Sequence, residues 1–145
     1  MSASRGMDVD DFWNLVELSN CETDSRNARV TWLVDELSRR PVQEIIDYHA
    51  WWHTTRNRGR TVDVYAAYWF VFGRGSPAGF EYFVSWLVSL GREPFEAVTN
   101  CPDRLVELPQ VLRMLEGSPE EQERPEFELL GSVAYRAYEQ VTGPG

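Results

Sequence analysis

Apolar residues recur along this chain at three- and four-residue spacing, and no alternating apolar–polar run exceeds a few positions. That spacing gathers side chains on one face of an α-helix, whereas a half-buried strand needs period two. Phe12, Leu15 and Val16, extended by Leu18, make a first stripe behind Asp8, a good N-cap residue. The polar run Asn20–Asp24 ends it. Val30, Leu33, Val34 and Leu37 make a second, closed by Arg39 and Arg40, whose charge suits a helix C-terminus.

Pro41 fits the first turn of a third helix, with Ile45, Ile46, His49, Trp52 and His53 as the expected inward face. A fourth is expected from Val62 to Phe72, ended by Gly73 or Gly75 at positive φ. Ser76 followed by Pro77 starts a fifth, which carries Phe80, Phe83, Val84, Leu87 and Val88, with Trp86 beside them, up to Gly91. A short helix around Pro94–Thr99 precedes one over Asp103–Glu116, expected to bury Leu105, Leu108, Leu112 and Leu115. Gly117–Pro125 has two prolines and no apolar residue, so it reads as a surface connection. The last helix, Glu126 to Thr142, would bury Phe127, Leu130, Val133, Ala134, Tyr138 and Val141.

The expected fold is all-α: a compact single-domain bundle of about six or seven helices over residues 8–142. The termini, 1–7 and 143–145, are expected to be flexible. The aromatic-rich pair of helices between Tyr65 and Val88 would form the centre.

Composition narrows the function classes. A chain of 145 residues suits one domain. No stretch approaches the ~20 apolar residues of a membrane span, and the first residues lack a signal peptide's apolar core. Cytoplasmic residence is the default expectation. The two cysteines, Cys21 and Cys101, have no ligand-spaced partners and read as free thiols. The net charge is −9, and all 14 basic residues are arginine. Lysine nucleophiles and Schiff bases are therefore excluded. Nucleic acid is a disfavoured partner, because phosphate neutralisation supplies most of that affinity.

The motifs Met7-Asp8-Val9-Asp10-Asp11-Phe12-Trp13, Leu33-Val34-Asp35-Glu36-Leu37, Glu44-Ile45-Ile46 and Tyr65-Ala66-Ala67-Tyr68 continue into Gly79-Phe80-Glu81-Tyr82-Phe83. Trp86-Leu87-Val88, Gly91-Arg92, Phe95-Glu96-Ala97 and Pro102-Asp103-Arg104-Leu105 follow. In these segments the chain resembles the bacterial family called domain of unknown function 4240, over nearly its whole length. The resemblance implies a compact helical protein and carries no assigned activity. The family pattern usually has two acidic residues where this chain has Pro77 and Ala78, and Arg where it has Val84. A polar site built from those residues would be lost here. A mere helix cap would be replaced by Ser76 and Pro77.

Three constellations could carry chemistry. His49 and His53 are four apart and leave one helix face, a spacing that suits acid–base work or two metal ligands. The helical zinc-protease motif fails, however, since Ala50 follows the first His and no third ligand can be named; no metal and no cofactor are assigned. Two histidines tucked beside Trp52 is the plainer reading. Arg56, Arg58, Arg60 and Arg74, with Arg92, could join the Ser76 helix start to bind a phosphate or carboxylate. Surface pairing with local Asp and Glu is the plain alternative. Of the aromatic residues, Tyr48, Trp51, Trp52, Tyr65 and Trp69 could line a groove, although helical spacing explains most of them as core.

The leading expectation is a small binding or accessory protein that engages a peptide or protein partner through this aromatic- and Arg-rich surface. A small anion is a second candidate ligand, and a homodimer is open. The alternative is a small cofactor-independent enzyme acting on a peptide or secondary metabolite, with His49 or His53 as acid–base group and Arg74 holding a carboxylate.

Overall fold

Side-chain caps set four of the helix starts. The computed structural model describes residues 6–73, 76–116 and 124–143, and among these the chain is all-α, with no strand. In α1 (Val9–Glu22) the Asp8 carboxylate accepts the Asp11 N–H at 2.9 Å, while the Asp11 carboxylate accepts the Asp8 N–H at 3.1 Å. This reciprocal box satisfies donors that a helix start otherwise leaves open. Ser25, Thr61 and Ser76 cap α2 (Arg26–Ser38), α4 (Val62–Phe72) and α5 (Pro77–Ser89) more simply, each side-chain oxygen accepting one N–H of the first turn. Gly73 closes α4 at φ 75°, the conformation its lack of a Cβ permits.

The remaining elements are α3 (Val42–Gly59), α6 (Arg92–Asn100), a 3-10 segment Pro102–Glu107, α7 (Pro109–Glu116), a second 3-10 segment Glu128–Ser132, and α8 (Val133–Thr142). Eight α-helices among the described residues exceed the six or seven expected. Pro109 divides one of the expected helices. It lacks an N–H and forces Leu108 to be extended (ψ 130°), so the expected helix over Asp103–Glu116 breaks there. The helix restarts in a new phase. It buries Val111 and exposes Leu112 and Leu115, correcting the expected stripe. The expected last helix likewise opens with 3-10 geometry, whose three-residue turn rotates the inward face. Val133, Ala134 and Ala137 are buried, while Tyr138 and Val141 are exposed.

Contacts within the chain sort into two units, Met1–Thr55 with Leu129–Gly145, and Arg56–Glu128. In the first, α2 packs on both α1 and α8. Phe12 meets the Tyr48 ring at 5.1 Å. Arg29 is buried there: its Nε donates to Ser19 Oγ at 2.8 Å, and its Nη2 donates to the Val16 carbonyl at 3.0 Å. Burial lowers its guanidinium to about 10. The chain just before α1 is anchored as well. Met7 N–H donates to Asp47 Oδ2, and Met7 O accepts from Trp51 Nε1, each at 2.8 Å. Met7 is buried, and the first five residues of the start read as flexible lie outside the described residues.

The second unit is centred on α5, which is buried without interruption from Phe83 to Ser89. A helix apolar all round belongs inside. α4 lays Tyr68 against the Phe83 ring at 4.6 Å, and Tyr65 meets Phe80 edge-on at 4.9 Å. Gly59, which ends α3, faces Val84 and the Phe95 ring so closely that a Cβ would lie 3.0 Å and 3.3 Å from them. No described helix is long and apolar enough to cross a membrane.

Candidate functional site

Only two of the eleven residues of α4, Val64 and Tyr68, are buried. The helix is apolar nearly throughout, yet Val62 (82%), Trp69 (55%) and Phe70 (83%) stand in solvent, with Ala66 also exposed. Burying a Phe side chain is worth about 1.5–3 kcal/mol. Leaving Phe70 outside a well-packed unit therefore forgoes stability that the fold could have used. Beside this face lies a cleft of 850 Å³, lined by Tyr65, Ala66, Trp69 and Phe70 on one side and by Asn100, Cys101 and Pro102 on the other. Asp63 and Asp103 complete its lining, and neither forms an ion pair among the described residues. The 3-10 segment packs on α4 and fixes the second wall. Tyr65 is held from behind by Phe80.

Tyr65 and Trp69 were the two expected ligand residues that come together here. Phe70, Asp63 and the turn Asn100–Asp103 were not anticipated. The signal was available: the sequence of α4 is apolar on every side, more than one buried face requires.

The histidine pair lies in the first unit. His49 and His53 sit edge-to-face at 4.5 Å, but both are exposed. The inward face of α3 in that unit is Ile45, Tyr48, Trp52 and Thr55, so Ile46, His49 and His53 belong to the outer side, a correction. The cause is one residue of phase, since Tyr48 rather than His49 takes the buried position. His49 lines a small groove of 210 Å³ with Ile45, Ile46, Ala134, Tyr135 and Tyr138. No carboxylate or guanidinium is among these lining residues.

Tyr48 is fully buried and is not among the residues lining either groove described above. Its hydroxyl has no hydrogen-bond partner among the described residues, and burial raises its pKa. Trp52 is buried against Gly131, and the indole N–H of Trp51 is engaged by Met7. Arg56 pairs with Glu81. Ser76 is occupied as a cap, its Oγ accepting the Gly79 N–H at 2.9 Å. Arg74 lies outside the described residues. Cys21 and Cys101 are exposed free thiols. Among the described residues, no three His, Cys, Asp or Glu side chains converge as metal ligands.

The family described as "Protein of unknown function (DUF4240)" matches residues 7–140. The chain belongs to this family. Neither the curated proteins nor the solved structures gave a match. The resemblance implies an acidic pair at Pro77 and Ala78 and an Arg at Val84. Here Ser76 and Pro77 form an ordinary helix start, and Val84 is fully buried against Gly59.

Proposed function

We propose that this protein is a small cytoplasmic binding protein whose α4 face and adjoining cleft take a peptide or protein segment. The observation that carries this reading is the exposure of Val62, Trp69 and Phe70 on a helix that buries only two residues. Contiguous exposed apolar surface in a folded chain marks an interaction site, and aromatic anchors dominate binding energy. The partner segment carries large apolar side chains with Arg or Lys beside them, because Asp63 and Asp103 edge the cleft and the chain as a whole is acidic. A second copy of this chain is the weaker occupant, since two chains of charge −9 repel.

The expected contribution of arginine to this surface narrows. Arg56, Arg58 and Arg60 are engaged with glutamates, and the cleft is aromatic and acidic. Acid–base catalysis is the second reading: His49 lines a small groove whose other lining residues are apolar or aromatic.

Peptide display against the wild-type chain and a Phe70→Ser variant tests the proposal. Selected peptides should pair an apolar anchor with basic residues and bind the variant about 30-fold more weakly, the scale of a hot-spot loss. Light scattering over a range of concentrations reports self-association. A wild-type dimer that Phe70→Ser dissociates would replace the peptide with a second copy. Selected peptides that bind both chains equally would remove α4 as the site.

A further inference from the structure

The exposed positions of α4 are Val62, Asp63, Ala66, Trp69 and Phe70, and Gly73 at its C-cap is exposed too. Counted from Val62, the apolar ones and Gly73 stand at i, i+4, i+7, i+8 and i+11, the rows along which one helix packs on another. At about 100° per residue they form a single stripe, with Ala66 between the directions of Trp69 and Phe70. The middle of the stripe is therefore low, and each flank carries a large ring. A partner backbone can come close over Ala66 while its side chains pass beside the rings.

Backbone accounting points the same way. An extended peptide gains affinity by adding its N–H and C=O groups to a sheet edge, and no strand exists among the described residues. One wall of the cleft is α4, whose backbone groups are spent within the helix. On the other wall, Cys101 donates its N–H to the Ala97 carbonyl at 3.0 Å, its own carbonyl accepts the Arg104 N–H at 2.9 Å, and Pro102 has no N–H. An extended segment covering this surface would leave its own polar groups without partners there, whereas a helix satisfies them internally. Charge completes the match. Asp63 and Asp103 line the cleft without an ion pair among the described residues, and Arg104 is not among the lining residues.

We propose that the partner segment docks on α4 as a basic amphipathic α-helix, an inference that rests on α4 being the binding surface. Its apolar side chains recur at three- and four-residue spacing and straddle Ala66, packing against Val62, Trp69 and Phe70. Lys or Arg at its margins meets Asp63 and Asp103. Partner recognition then reads a helical period as well as a composition.

Two display libraries of about 15 residues, matched in apolar and basic content and panned against the whole chain, test this. One places its apolar residues at helical spacing, and the other alternates them with Lys and Arg. Binders should come from the helical library and gain helical circular dichroism when bound. A central Pro should weaken them about 100-fold, the scale of its cost inside a helix. Ala66→Gln, a good helix former at an exposed position, should weaken them tenfold or more by filling the low middle of the stripe. Binders that Phe70→Ser weakens, but that arise equally from the alternating library or tolerate the central Pro and Ala66→Gln, would overturn the helix and keep α4 as the site. Helical binders indifferent to Phe70→Ser, or no binder from either library, would overturn the α4 surface itself and this inference with it.

Discussion

Trp51 donates its indole N–H to the carbonyl of Met7 at 2.8 Å, while Asp47, one turn earlier on α3, accepts the N–H of the same residue. Together they clip both polar groups of one backbone position. Gly6 at φ 73° lets the chain reach that position, and a Cβ there would run into the Asp47 carboxylate. Trp51→Phe keeps the ring and removes one bond, worth about 1 kcal/mol. The Met7 amide should then exchange with solvent roughly fivefold faster, with little change in melting temperature. Hydrogen exchange read by NMR checks this.

Tyr48 supports a less obvious expectation. Its hydroxyl is buried with no partner, so Tyr48→Phe removes a desolvated polar group and no hydrogen bond. Stability at neutral pH should hold or rise by up to about 1 kcal/mol in denaturant melts. A second signature lies at alkaline pH. Burial raises the phenol above its ordinary 10, so the unfolded chain releases that proton before the folded one does. The stabilising contribution is complete below pH 10 and is lost above it. Arg29, lowered to about 10, works in the opposite direction in the same range, since its folded form gives up its proton first. Tyr48→Phe should therefore lose less stability than wild type between neutral pH and pH 11.

Gly59 is a packing constraint. A Cβ there would lie 3.0 Å from Val84 Cγ1 and 3.3 Å from the Phe95 ring, both fully buried. Val is stiff at χ1, and both neighbours sit in the core. Gly59→Ala gains helix propensity of at most about 1 kcal/mol, less at a helix end, while overpacking costs about 1–3 kcal/mol. A net loss is expected in chemical denaturation. Val84→Ala combined with Gly59→Ala should recover part of the strain and show non-additivity.

On the α4 face, stability and binding should separate. Phe70→Ser and Val62→Ser alter side chains that are more than four-fifths exposed, so each should leave stability within about 0.5 kcal/mol. Tyr68→Ala removes a ring packed on Phe83 and should cost about 3–5 kcal/mol. A thermal melt of the three variants distinguishes a surface face from a core face.

Much of this fold was legible from caps and periodicity. Asp8, Val62 to Phe72, Gly73 and Ser76-Pro77 stand as local chemistry dictates, because each decision involves neighbours within one turn. Phase was harder. Placing His49 inward and Tyr48 in a groove reversed two adjacent residues of α3, which spacing alone separates by only 100°. Leu112 and Leu115 were misread because Pro109 resets the helix, and Tyr138 because a 3-10 segment rotates the next face. The cleft was legible only in part. Tyr65 and Trp69 were visible as aromatic residues, but Asn100, Cys101 and Asp103 come from a turn thirty residues away in sequence. No local pattern records that pairing. The arginines were visible as a cluster. Their glutamate partners were not, since Glu81 and Glu96 are reached only through the packing of α5 and α6.

The most direct test of the α4 surface is an indole ¹⁵N NMR titration with a display-selected basic, apolar peptide. The chain has six Trp signals to compare. Trp69 is exposed at the cleft, and Trp86 is buried in the same unit. The Trp69 indole should shift saturably with peptide while Trp86 stays in place. A peptide that binds at the same affinity and leaves Trp69 unmoved would contradict it.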